Sequence, residues 1–249
     1  MSRWPSSRPP HQACATAWRD APLPVPRTKA AKTIGKAMTA HSGHTGRTPP
    51  RPGENEFRRA VAEVDAGLTM QRQLRPDLQI ENEPPPRRLA PFAFAVAATV
   101  CPDGEAEIGG GRFILLFDAA GQQGWDGKHR IIGYVRADLE PEMAADPLIN
   151  AVGWSWLTEA LDLRTSGYRK ISGTVTTVVT QGFGGKQDEP TATGFELRAS
   201  WSPAIADGVS ADLDGHVAAW CDVICMAAGL PPLPPGVAAL RPQRRRPRQ

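Results

Sequence analysis

Residues 112–139, RFILLFDAAGQQGWDGKHRIIGYVRADL, decide the fold. Side chains of an extended strand point alternately to opposite faces. Phe113, Leu115 and Phe117 therefore share one face, with Ile114 and Leu116 on the other. AAGQQGWDG interrupts the run with glycines and a polar tip. Beyond it His129, Ile131, Val135 and Ala137 alternate with Arg130, Ile132, Tyr134, Arg136 and Asp138. Two such runs joined by a short loop predict an antiparallel hairpin with one covered face and one polar face.

The same signals recur outward. In APFAFAVAATV (90–100), Phe92, Phe94, Val96, Ala98 and Val100 alternate with smaller residues, and PDGEAEIGGG leads on as a turn-rich connection. Upstream, Phe57, Ala60, Val61, Val64 and Leu68 recur at helical spacing, with Asn55 as the expected N-cap. The prolines of EPPPRR (83–88) make a stiff connector. Downstream, Asp146-Pro147 signals a helix running to about Arg164. ISGTVTTVVTQGF and GFELRASW are two further strands, separated by the long loop FGGKQDEPTATG. ADLDGHVAAWCDVICMAAG is a last helix that stops at Gly229, before Pro231. The expected fold is α+β, a two-layer antiparallel sheet with helices on one face and the order α-βββ-α-ββ-α. That order resembles the type III secretion chaperone-like fold, whose members are binding modules.

Charge divides the chain. Residues 1–53 carry nine Lys and Arg against one Asp, and 231–249 carry five Arg and no acid. Residues 89–230 carry nine basic and eighteen acidic groups, a net of −9. Pro- and Arg-rich segments without apolar periodicity do not bury enough surface to offset ordering entropy. Residues 1–53 and 231–249 are therefore expected to be disordered tails around a single domain over 54–230, with Met38 as a possible true start. An acidic domain is poorly suited to polyanions, so nucleic acid would be bound only through the basic tails, above all RPQRRRPRQ at 241–249. The chain has neither the apolar region of a signal peptide nor an apolar run long enough to span a bilayer, and a cytoplasmic location is expected.

Catalytic signals are sparse. GGGR at 109–112 enters a strand and not a helix, which points to a turn and not a phosphate cradle. Cys221 and Cys225 lie one helical turn apart with His216 nearby, a set too small for a structural zinc site. They are expected to be small core residues, and no metal or cofactor is expected. Asp118, Asp126, His129 and Arg130 bracket one loop, beside Trp125, and are the candidates for an acid–base site. The bland reading of those residues is a polar turn at Asp126-Gly127. On the polar sheet face only Tyr134 offers an aromatic ring for stacking RNA bases.

The helix after Asp146 carries more information. At about 100° per residue, Leu148, Ile149, Val152, Trp156, Ala160 and Leu163 form a stripe expected to meet the sheet. Trp154, Leu157 and Leu161 form a second apolar face, covered either by another helix of this chain or by a protein partner.

Longer strings carry a family resemblance. RFILLFDAAGQQGWDGKHRIIGYVRADLEPEMAADPL, VGWSWLTEAL, SGTVT with GFGG, FELRASWSP and HVAAWCDVICMAAGLPPLPPGV resemble an actinobacterial family known as domain of unknown function number three thousand. The resemblance spans about 55–237 and implies a single cytoplasmic domain with no catalytic residues to carry over. The expected function is a protein-interaction or chaperone-like module that self-associates. The alternatives are an enzyme using the loop 118–130 and an RNA-associated factor acting through the C-terminal tail.

Overall fold

A computed structural model describes residues 51–102, 106–204, 212–233 and 237–239. The apolar spacing after residue 54 winds Glu54–Leu74 into helix α1, which buries Ala60, Val64, Leu68 and Gln71. The helix is entered through Gly53 at φ 81°, and not through Asn55 as the sequence led one to expect. A Cβ at Gly53 would stand 2.6 Å from that of Ala119 and 2.7 Å from the Phe117 ring, so the close approach requires glycine.

Strands β1 (Leu78–Glu83), β2 (Phe92–Val100), β3 (Gly109–Gln122) and β4 (Gly127–Asp138) follow, then helices α2 (Pro141–Ala144) and α3 (Ile149–Arg164). Strand β5 (Tyr168–Thr180), a 3-10 turn at Gly184–Lys186, β6 (Ala192–Pro203) and α4 (Leu213–Ala227) complete the described elements. The expected order holds, with β1 and the short α2 as additions. All neighbours are antiparallel, in the order β1-β2-β3-β4-β6-β5. β6 therefore lies between β4 and β5, and the two open edges are β1 and β5.

The core lies between the sheet and the helices. Trp201 and Trp220 are fully buried. The Trp220 ring packs 5.7 Å from Phe113, and its Nε1 donates to the Tyr134 carbonyl at 3.2 Å. The Trp201 Nε1 donates to His216 Nδ1 at 3.1 Å. Gly133 in β4 makes room for these rings, since a Cβ there would lie 2.9 Å from the Trp201 indole. α4 contacts α1 and α3 as well as the sheet, and almost every residue along it is buried. Gly229 at φ 77° ends it, with the Leu230 amide donating to the Cys225 carbonyl at 2.8 Å.

α3 begins at Ile149, two residues after the Pro147 start that Asp146-Pro147 suggested. Asp146 acts just ahead of the helix, where its Oδ1 accepts from the Leu148 amide at 2.8 Å. Residues 231–233 and 237–239, placed by sequence in the C-terminal tail, are tied to the domain. Arg75 donates to the Pro231 carbonyl at 2.6 Å, Arg164 to that of Leu233 at 3.5 Å, and the Ala239 amide to Leu74 at 2.8 Å. Met38 and the arginines of 241–249 lie outside the described residues.

Candidate functional site

The two faces of α3 are not distributed as its periodicity suggested. Leu157 and Leu161 are buried in the main core, where α3 packs against α4. Trp154 lies over Gly173 of β5, where a Cβ would come within 2.8 Å of its ring. Trp156 packs on Phe195 of β6 at 5.7 Å. Both tryptophans are half-buried against this chain's own core. The stripe expected to meet the sheet is split instead. Ile149 and Ala160 are buried, but Leu148 is 62% exposed, Leu163 is 72% exposed and Val152 is also exposed. Gly153 explains the difference, because it is the point of α3 pressed onto Phe195 and Val175. That contact turns Leu148, Val152 and Leu163 away from the sheet.

The residues around the 118–130 loop do not converge. Asp118 accepts from the Ala120 amide at 3.0 Å and from Gln122 at 3.3 Å, a turn-stabilising arrangement. Asp126 sits at φ 58° in the hairpin tip and faces Arg169 at 3.8 Å, with both side chains about half exposed. His129 is 5% exposed, with its ring 4.9 Å from Phe117 and neither nitrogen hydrogen-bonded. Burial holds its pKa below the ordinary value, against the opposing influence of Glu56. No carboxylate orients this imidazole, so it lacks the partner that acid–base catalysis needs.

Arg130 does something else. It is 9% exposed, and burial lowers its pKa. It donates to the Lys170 carbonyl at 3.0 Å, the Ser200 carbonyl at 3.1 Å, and the Ser200 and Ser202 hydroxyls at 2.7 and 3.3 Å. Pairing between β5 and β6 slips between Arg169 and Ser172, where Lys170 adopts φ 51°. Arg130 thus reaches from β4 across β6 and supplies donors at this bulge. Sequence reasoning flagged the residue, but the register that explains it is non-local.

Tyr134, expected as an exposed ring, is buried, with Arg198 5.3 Å above its face. Arg112 and Arg198 are ion-paired with Glu83 and Glu196. That face lacks an open aromatic platform for bases. Among the described residues, no group of three or more His, Cys, Asp or Glu could hold a metal ion. Burial raises both Cys221 and Cys225, the latter to about 12, so neither is a thiolate at neutral pH.

The feature that sequence reasoning missed is that β5 stands at the open edge of the sheet. Its thirteen residues include none that is buried. From Ile171 to Thr180 the strand reads ISGTVTTVVT, with no charge and no proline. Val179 is 63% exposed, Val178 is exposed, and Phe183 just beyond is more exposed still. Within this run the Thr177 hydroxyl donates to Asn150 Oδ1 of α3 at 2.8 Å. A signal was present in the sequence, since ten uncharged, mostly β-branched residues rarely suit a solvated edge.

Among the described residues, no helix is long and apolar enough to cross a membrane. Over residues 53–238 the chain matches the family model described as "Protein of unknown function (DUF3000)", and it belongs to that family. No curated protein and no solved structure matches it.

Proposed function

We propose that the chain is a protein-interaction module whose working surface is the open β5 edge, and that it engages its partner by strand addition. A sheet edge presents a row of amides and carbonyls able to pair with another strand, and soluble proteins normally blunt it with charge, proline or a cover. The observation that carries this reading is the uncharged, unburied run Ile171–Thr180 at the end of the sheet. Exposed Val178, Val179 and Phe183 would add apolar contact to the main-chain pairing. Arg130 would hold the start of the edge in register through the Lys170 carbonyl.

A photo-reactive side chain at Val178, compared with one at Gln79 on the opposite edge, tests this in living cells. Protein adducts are expected from position 178 and not from 79. Equal labelling at both edges, or none at 178, would remove the basis for the reading.

A further inference from the structure

We infer that the strand added to β5 is β5 of a second copy, paired antiparallel about a two-fold axis at Thr177. The inference rests on the β5 edge being the working surface, and it names the occupant. In an antiparallel pair, residues directly opposite one another lie on the same face. A two-fold axis perpendicular to the sheet sets Thr177 opposite its own copy. It then sets Val175 opposite Val179, Thr174 opposite Thr180, and Thr176 opposite Val178. The run TVTTVVT at 174–180 is therefore nearly its own mirror image about its centre.

On the helix-facing side of the sheet, valine meets valine and threonine meets threonine. Moving the axis one residue, to Thr176 or Val178, places valine opposite threonine on that side and loses the match. The paired run 174–180 carries no charged residue, so no like charges oppose one another within it. A partner of another sequence would require none of this symmetry, whereas an isologous interface must be self-complementary. Such an axis keeps α3 of both copies on the same side of one continuous sheet. Val179, exposed in the single chain, would lie against Val175 of the second copy.

The experiment uses the full-length chain. Sedimentation equilibrium is expected to give twice the mass of one chain, and Val178→Lys is expected to weaken association by about tenfold or more, as a charge on an edge strand should. With Cys14 and Cys101 replaced by Ser, Thr177→Cys should form a disulfide-linked dimer under mild oxidation. Opposed Cα atoms lie roughly 4.5–5.5 Å apart, within disulfide range. Thr176→Cys should not link, since it opposes Val178. A wild-type chain of single-copy mass at every accessible concentration overturns the inference. If position 178 still labels another protein, strand addition itself survives that result. A dimer that links as readily through Thr176→Cys as through Thr177→Cys overturns the proposed register, and a single-copy mass with no labelling at 178 overturns both readings.

Discussion

The two edges of the sheet are built on opposite rules. β1 is six residues long, carries Glu81 and Glu83, and runs into Pro84, Pro85 and Pro86. Its Ile80 carbonyl accepts from Arg72 of α1 at 3.2 Å, and α1 lies alongside. β5 is thirteen residues long, with an uncharged run of ten, and its outer edge is unpaired by any strand of this chain. Charge and proline close an edge to other chains, and β5 has neither between Ile171 and Thr180, although α3 packs on one face of it through Trp154 over Gly173. The proposed strand addition at β5 rests on that contrast.

Four changes would break or sharpen this contrast, beginning with the largest effect. At Gly173 a Cβ would meet the Arg198 carbonyl at 2.4 Å, the Trp154 ring at 2.8 Å and the Ala199 Cα at 2.9 Å. Gly173→Ala should therefore cost about 3 kcal/mol in urea unfolding, whereas Gln79→Ala on the closed edge should cost roughly 0.5 kcal/mol or less. Similar costs at the two positions would contradict the account of Trp154 seated on β5.

Arg130→Met should cost about 2 kcal/mol, because the Lys170 and Ser200 carbonyls lose their donor. Amide exchange should rise at the start of β5 and remain unchanged in β1. Uniform exchange across both edges would show that Arg130 does not clasp the bulge.

Acid acts on the interior between the edges. His216 is held at about 4, and His129 also lies below its ordinary value, both chiefly by burial. The folded chain then binds fewer protons than the unfolded chain. The associated stability is full above about pH 6.5 and falls as pH drops toward 4, by roughly 2 kcal/mol at pH 5 for His216. Replacing His129 with Phe should flatten part of the acid limb of a Tm-versus-pH curve, since its ring is already packed on Phe117. An unchanged limb would mean that other groups carry the acid response.

The smallest effect on stability is the most direct test of the contrast. Glu81→Thr removes a charge from an exposed position of β1 and should change stability by about 0.5 kcal/mol or less. If charge helps to keep this edge closed, the variant should show added association by light scattering. Unchanged association would assign the closure to α1 and the prolines alone.

Much of the architecture was legible from local patterns. Alternation marked β2, β3, β4, β5 and β6, and helical spacing marked α1, α3 and α4. β1 was not legible, because LQIENE has only two apolar residues and becomes a strand by pairing with β2. The candidate site was legible only in fragments. Trp154, Leu157 and Leu161 stood out as an apolar face, and the structure covers that face with Gly173 and α4. Asp126 and His129 are three residues apart in sequence, yet one sits at the tip of the hairpin and the other is buried against Phe117. The β5 edge was overlooked because a threonine- and valine-rich strand looks the same in the middle of a sheet as at its rim.

By itself the sequence determined the α+β class, the order of the helices and strands it marked, and the separation of basic ends from an acidic domain. Each of these follows from side-chain periodicity and charge within short windows. Only the tertiary structure decided that β6 inserts between β4 and β5 and leaves β5 at the rim. Only it decided that Gly153, pressed onto Phe195, turns Leu148, Val152 and Leu163 to solvent. Pairing and burial are set by residues far apart in the chain, so whether TVTTVVT is core or contact surface depends on which strand lies beside it.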